Sequence, residues 1–286
     1  MDIRRVGIIR KRDCAEPARL GEELGRWLAS RGIAVDADRI VPDQDLLIVL
    51  GGDGTLLHVA AEACTHGIPV LGINLGGLGF LTEISLLECY QALEQVLAGE
   101  FVIEERMMLK IRLTIRDGEG DEEAVQYPWL YALNEVVISK GTVDRMAELG
   151  IWVDSEYLAT YRADGLIVAT STGSTAYNLS AGGPIVHPRL AAMVVTPICP
   201  FMLESRPVLL AGSATVRARL ANHQDGERPG ERLQIIVDGR FYEQLTADTT
   251  LEIKAAERSL QLVCSPSKGY FEILRNKLNW AAGHQK

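Results

Sequence analysis

Three polar stretches of this chain carry side chains and spacings suited to chemistry as well as folding. The first is Gly51-Gly52-Asp53-Gly54-Thr55. Its glycines let backbone N–H groups come close to an anion, and the residues that follow predict a helix whose N-terminus favours negative charge. That combination is a phosphate cradle, although a strand-to-helix turn also uses glycine for geometry alone. Asp53 sets the loop apart, because a carboxylate beside bound phosphate is repelled unless it takes a proton or holds a metal ion. A second glycine loop, Asn74-Leu75-Gly76-Gly77-Leu78-Gly79-Phe80, is expected to leave the next strand on the same edge. Two such loops side by side suggest a pocket, though tight turns would use the same glycines.

The second stretch is Asn134-Glu135, between the apolar Tyr131-Ala132-Leu133 and Val136-Val137-Ile138. Burying an unpaired amide or carboxylate costs on the order of 1–3 kcal/mol or more, so the pair must lie at an edge, a bulge or a site. The third runs from Asp164-Gly165 through Thr170-Ser171-Thr172-Gly173-Ser174-Thr175-Ala176-Tyr177-Asn178-Leu179-Ser180 to Gly182-Gly183-Pro184. Here a strand enters a hydroxyl-rich turn, a short helix opens near Ser174, and Gly-Gly-Pro breaks it. Hydroxyls and free N–H groups at a helix start suit phosphate or ribose oxygens, and the run is too dense for one helix cap.

The elements that must hold these residues are readable from periodicity. Leu46–Leu50 is an unbroken apolar run ending at Gly51, the pattern of a strand buried on both faces of a parallel sheet. Before it come a strand at 2–9, a helix over 16–31 with Leu20, Leu24, Trp27 and Leu28 on one face and Gly32 at its end, and a short strand at 33–35. After it come a helix from about Thr55 to Thr65 and a strand at 70–73. Alternating strands and helices predict a parallel α/β sheet with its ligand site at the carboxyl ends of the strands. Ser85 and Glu88 form a capping box for a helix with Leu86, Tyr90, Leu93 and Leu97 on its apolar face.

From residue 101 the period changes to two. Strands are predicted at 107–116, 130–139, 149–153, 157–162, 165–169, 213–221, 233–238, 240–245, 249–255 and 259–264. Asp117–Glu123 and Asn222–Glu231 read as solvated hairpin loops, and Asp238-Gly239 as a hairpin turn. Residues 267–280 return to helical spacing, with Phe271, Leu274 and Leu278 on one face. A helix this short needs a surface to dock on, and it is expected to rejoin the first domain. The architecture expected is therefore a Rossmann-like parallel α/β domain over 1–100 plus 267–286, and a mostly antiparallel β domain over 101–266. The run Met193–Leu203 serves a core or an interface between subunits equally well.

Composition narrows the class. The chain has 286 residues and a net charge of −9, against the basic face that a non-specific nucleic-acid binder carries. Its five cysteines are dispersed, with no C-x-x-C and no histidine at ligand spacing, which suits reduced thiols in a cytoplasmic protein and no protein-borne metal cage. No long apolar run predicts a membrane span, and the early strand after Met1 predicts no secretion signal.

Taken in order, Gly51-Gly52-Asp53-Gly54-Thr55, Asn134-Glu135, Asp164-Gly165, Thr172-Gly173-Ser174-Thr175-Ala176-Tyr177 and Gly182-Gly183-Pro184 resemble the bacterial NAD kinase family. The resemblance covers nearly the whole chain, including the Asn74–Glu83 loop and the Tyr270–Trp280 tail. The first motif is shared with diacylglycerol and sphingosine lipid kinases and resembles the phosphofructokinase loop, so the Thr-Gly-Ser-Thr-Ala-Tyr run discriminates.

The resemblance implies phosphorylation of NAD on the 2′-hydroxyl of its adenosine ribose by ATP, with a divalent metal, Mg²⁺, arriving on the nucleotide. It implies that Asp53 is the base, that Gly51, Gly52 and Thr55 form the phosphate loop, and that Gly54 helps hold substrate. Asn134 and Glu135 would anchor the ribose and adenine, with Phe80 beside the adenine. Thr175, Ala176, Tyr177, Asn178, Leu179 and Ser180 would line the dinucleotide pocket, with Arg145, Arg162 and Asp164 near the dinucleotide. The family assembles as dimers or tetramers, so a homodimer or homotetramer is implied, with Asp164 supplied by a partner subunit. A lipid kinase of the same superfamily or a non-catalytic dinucleotide sensor is the alternative. Two departures stand out. Ser171 replaces a proline common in the family, which predicts a freer loop, and Arg240 follows Asp238-Gly239 where the family often has Gln.

Overall fold

The computed structural model describes residues 3–115, 125–141, 146–221, 232–264 and 268–280. The loops expected at Asp117–Glu123 and Asn222–Glu231, and Arg145, lie outside them. Two compact units divide the chain, Met1–Glu105 with Arg258–Lys286, and Arg106–Glu257.

In the first unit the strands lie in the order Ala34–Ala37, Arg5–Arg10, Leu46–Leu50, Val70–Asn74, Leu260–Cys264 and Val102–Arg106, with Ile84–Ser85 beside Val70–Asn74. From Ala34–Ala37 through Leu260–Cys264 each neighbouring pair is parallel. Leu46–Leu50 is buried at every residue. Helix Ala15–Ala29 packs Leu20, Leu24 and Leu28 with Ile8, Ile48 and Leu50. Leu47 and Val49 alternate to the opposite face, and helix Asp53–His66 packs against the same strand with Leu56, Val59 and Ala60 buried. Each such side chain contributes roughly 1.5–3 kcal/mol on leaving water, which is why this strand anchors the loop that follows it.

The sheet takes in Val102–Arg106 and Leu260–Cys264, whose period-two pattern suggests the β domain from sequence. Two helix faces also differ from expectation. The helix after the capping box, Cys89–Leu97, buries Cys89, Leu93 and Val96, while Tyr90 turns outward and meets the edge of Trp27 with ring centroids 5.6 Å apart. In the last helix, Tyr270–Leu278, Ile273 and Leu274 are buried and Phe271 is exposed. Lys268 ties that segment down by donating to Glu83 O at 2.9 Å and to Glu88 at 2.6 Å. Glu88 also accepts from the Ser85 amide and hydroxyl, and Lys268 followed by Ser85 pulls its carboxyl down to about 2.

The second unit is a sandwich of two antiparallel sheets. Among the described residues one has the order Val208–Ala211, Ala192–Ile198, Gly165–Thr170, Glu135–Ser139, Leu233–Val237 and Arg240–Leu245. The other runs Glu156–Ala163, Ala147–Val153, Thr215–Leu220, Thr249–Ala255, Leu109–Ile115 and Val125–Gln126, with Leu130–Ala132 also on Leu109–Ile115. Alternate residues of both, among them Ile111, Val136, Val168, Val195 and Leu251, meet in one core. On the outer face Val137, Ile167 and Ala169 are covered by Ala181, Ile198 and Ile236, so Gly165–Thr170 is buried throughout. The predicted strand at 130–139 is two strands in different sheets. The chain changes sheet at Leu133-Asn134, which is why polar residues interrupt an apolar run there. No helix among the described residues is long and apolar enough to cross a membrane.

Candidate active-site residues

In the first unit the buried strand ends at Leu50, Gly51 donates to Ile73 O at 3.0 Å, and the helix begins at Asp53, two residues earlier than periodicity predicts. The glycines of this loop divide into two kinds. A Cβ on Gly51 would lie 2.3 Å from the Thr55 hydroxyl, so Gly51 makes room for Thr55. At Gly52 and Gly54 a Cβ would meet nothing within 4 Å. Their side of the loop is open, and the N–H groups of Gly52, Asp53 and Gly54 take no part in the hydrogen bonds found among the described residues. An open loop with unengaged amides is the geometry that an anion cradle requires.

The Asp53 carboxylate is held by the second glycine loop. Its Oδ1 accepts from the amides of Leu81 (3.0 Å) and Thr82 (3.1 Å) and from the Thr82 hydroxyl (2.9 Å), and its Oδ2 from the Phe80 amide (2.8 Å). A Cβ on Gly79 would stand 2.2 Å from Oδ1, so only glycine lets the chain wrap the carboxylate. Buried Asn74 steadies the wrap, donating to the Thr82 hydroxyl at 2.8 Å and accepting from the Gly76 amide at 2.8 Å. With three donors on Oδ1 and one on Oδ2, the remaining acceptor capacity of Asp53 is on Oδ2. Phe80 is half-buried, with Lys277 Nζ 5.8 Å from its ring centroid.

In the second unit Asn134 and Glu135 sit where the chain changes sheet, gripped from two sides. Asp238 accepts the amides of Leu133 (2.7 Å), Asn134 (2.9 Å) and Glu135 (3.0 Å), and returns its own N–H to Glu135 O at 3.1 Å. Thr170 donates its amide to Asn134 O and its hydroxyl to Leu133 O, and that hydroxyl accepts from the Gly173 amide. A Cβ on Gly173 would lie 2.1 Å from Asn134 O, so this glycine is required by close backbone approach. The Asn134 backbone is thus committed and its side chain is left half-buried.

Burial first, and Asp238 second, push the Glu135 carboxyl up to about 8. Burial likewise raises Asp238, against the pull of its three amide donors. Glu135 Oε2 and Thr172 Oγ1 are buried with no hydrogen-bond partner. Unmet buried groups of this kind cost on the order of 1–3 kcal/mol each, and here they sit in adjoining segments.

The Thr172–Ser180 run is tightly built. Asn178 is fully buried, donates to Ser174 O (3.0 Å) and Pro184 O (3.1 Å), and accepts from the Thr196 hydroxyl (2.7 Å). Its amide holds the Gly-Gly-Pro break in place, so Asn178 fixes the conformation of the Thr172–Ser180 run. Thr175, Ala176 and Leu179 are half-buried, and Tyr177 and Ser180 are exposed. The loop is also not freed by the loss of proline. Ser171 is buried and its hydroxyl donates to Leu190 O at 2.5 Å.

Asp164 pairs with Lys140 at 2.6 Å, and Arg162 lies over the Phe201 ring at 4.8 Å and 3.7 Å from Glu148. Arg240 is exposed. Asp238-Gly239 is a two-residue hairpin turn with φ of 45° and 77°, as an Asp-Gly pair favours. Its second duty, the clamp on Leu133–Glu135, has no local signal, and neither has Lys140. Asn74, Gly79 and Thr82 lie in or beside a loop whose glycines were visible. No group of three or more His, Cys, Asp or Glu among the described residues is placed to hold a metal ion.

Family models for the ATP-NAD kinase N-terminal and C-terminal domains match residues 36–101 and 133–265. The chain is 42% identical to the NAD kinase of Syntrophotalea carbinolica over 97% of this chain and 99% of the relative. It is 42% identical to that of Geotalea daltonii over 91% and 93%. Among solved structures it resembles a yeast NADH kinase complexed with NADH, with a TM-score of 0.87 and 23% identity over 99% of this chain and 89% of that one. An NAD kinase from Archaeoglobus fulgidus in complex with ATP gives 0.74 and 22% over 96% and 98%. At such identities the structural likeness speaks for the fold alone.

Proposed function

The chain belongs to the ATP-NAD kinase family, and from that premise we propose that it is a NAD kinase that moves the γ-phosphate of ATP onto the 2′-hydroxyl of the adenosine ribose of NAD. The observation that carries the assignment of roles is the Asp53 carboxylate, fixed by four donors at the mouth of an open glycine loop. Phosphoryl transfer asks the protein mainly for position and charge, and for a group to receive the hydroxyl proton. Asp53 takes that proton on Oδ2. The free amides of Gly52 to Gly54 face the donor phosphates.

Asn134 and Glu135 hold the ribose and adenine of NAD. Below about pH 8 Glu135 is a carboxylic acid, and can both donate to and accept from the nucleotide, which meets the lone Oε2. Thr175, Ala176, Tyr177, Leu179 and Ser180 line the pocket, with Asn178 behind them. A divalent cation comes with the ATP phosphates and neutralises their charge there. Among the described residues, the open oxygen of Asp53 would be its protein ligand before the proton arrives there. The working form is a cytoplasmic homo-oligomer in which Asp164, steadied by Lys140, serves the dinucleotide of a neighbouring subunit.

The purified protein incubated with ATP, Mg²⁺ and NAD should yield the 2′-phosphorylated dinucleotide, and none from a diacylglycerol. A protein that binds NAD but never phosphorylates it would be the non-catalytic sensor, and phosphorylated lipid would overturn the acceptor.

A further inference from the structure

The sheet order of the first unit singles out one crevice. From Arg5–Arg10 the chain passes through a helix to Ala34–Ala37 on one side, then returns to Leu46–Leu50 on the other. In open parallel sheets, the carboxyl end of the place where strand order reverses is where ligands bind. Two loops wall that place, Gly51–Gly54 and residues 11–14. They are tied together, since Arg10 is in register with Leu50 and the Lys11 amide donates to Leu50 O at 2.9 Å.

The second loop reads Arg10-Lys11-Arg12-Asp13, and Asp13 turns the chain with a φ of 58°. Arg10 is already committed, donating through Nε to Asp38 at 3.0 Å. Lys11 and Arg12 are exposed, and their side chains make no hydrogen bond or ion pair among the described residues. Beside them is a cleft of about 290 Å³, lined by Arg10, Lys11, Arg12, Asp13 and Asp38 among others. Its carboxylates are Asp13 and Asp38, and Arg10 offsets Asp38. Arg12 also bears on Asp38 through its charge, and in a chain of net charge −9 two exposed cations without a hydrogen-bonded partner at the switch point are placed where a polyanion needs them.

We propose that Lys11 and Arg12 bind the phosphate chain of the donor nucleotide, across the crevice from the open amides of Gly52 and Gly54. Arg12 supplies a planar fork for two phosphate oxygens and Lys11 a mobile point charge. This deepens the kinase reading and rests on it for the identity of the nucleotide, whereas the polyphosphate chemistry of the site stands on its own.

The test is calorimetric titration of the full chain with ATP, AMP and inorganic tripolyphosphate, on wild type and on a Lys11→Gln, Arg12→Gln variant. ATP and tripolyphosphate should each weaken by roughly tenfold to a hundredfold, the loss of one or two charge-assisted contacts. AMP, which lacks the chain, should change little, and the KM for ATP should rise with that for NAD unmoved. Tripolyphosphate should compete with ATP in the wild type. A Lys11→Arg, Arg12→Lys variant keeps the charge but not the fork at position 12, and should lose clearly less affinity than the Gln variant, which separates charge from folding. ATP and tripolyphosphate affinities within twofold of wild type in the Gln variant would overturn the proposal. A wild type that makes no NADP yet binds tripolyphosphate through this loop would overturn the kinase reading and leave the site standing.

Discussion

Each unit of this protein contains the same device, a single aspartate that accepts three successive backbone amides. In the first unit Asp53 takes Phe80, Leu81 and Thr82, and in the second Asp238 takes Leu133, Asn134 and Glu135. The surroundings differ. Asp53 opens a helix between Gly52 and Gly54, which have empty space beside them, so the amides hold the carboxylate and Oδ2 keeps acceptor capacity. Asp238 sits in a hairpin turn with burial pushing its carboxyl up, and there the carboxylate holds the amides. The comparison teaches that a clamp's role follows from which partner has room left. At Asp53 that partner is the aspartate, and at Asp238 it is the Asn134-Glu135 pair.

The sharpest way to break the comparison is Asp53→Asn. Loss of the proton acceptor should lower kcat for NADP formation by roughly 10²–10⁴ while calorimetry still detects NAD binding. The amide also turns a donor toward one of the loop amides, so the melting temperature should fall as well. Unchanged turnover would show that the carboxylate is not the base.

Asp238→Ala comes next. It orphans three amides where the chain changes sheet, and should cost on the order of 3 kcal/mol in denaturant unfolding while raising the KM for NAD at least several-fold. If kcat fell and the KM for NAD stayed constant, the clamp would act on chemistry and the two aspartates would not differ as argued.

Glu135 tests the electrostatic half of the contrast. Its folded pKa, about 8, lies above that of an unfolded glutamate. Its acid form is therefore favoured in the folded state, and its effect on stability is absent below the unfolded pKa. As pH rises from the unfolded value to about 8, stability should fall by about 1.4 kcal/mol per pH unit, then level off. Glu135→Gln should lack that slope. Parallel stability curves for the two proteins would mean that Glu135 is ionised in the fold.

The smallest effect expected is from Thr82→Val, which removes one of the three donors to Asp53 Oδ1 and keeps the shape. A loss of about 1 kcal/mol of positioning predicts a several-fold fall in kcat with the KM for NAD unchanged. A larger fall than in Asp53→Asn would place Thr82 itself in the chemistry.

Some of this protein was readable in its sequence because the cause is local. An apolar run such as Leu46–Leu50 that stops at a glycine turn reads as a buried strand, and the glycines before a helix mark a turn where backbone can come close to a neighbour. Asn134-Glu135 declared itself by being polar in an apolar run. The period-two strands of the sandwich followed from one face meeting a core. Other features depended on distant partners. Asp238 looks like any hairpin turn until the chain brings residues 103 to 105 positions away under its carboxylate. Thr82 and Gly79 acquire their purpose only when the loop folds back 26 to 29 positions onto Asp53. Ser171 reads as a lost proline until Leu190 O meets its hydroxyl. Tyr90 and Phe271 lie on the apolar faces that periodicity marks and yet turn outward, because only packing decides which residues of such a face reach the core. Sequence determined which groups could do chemistry, since residue type and local backbone conformation are set within a few positions. Tertiary structure decided which of them are held, which hold others and which stay free, since a carboxylate's role depends on donors that only the folded chain brings within about 3 Å.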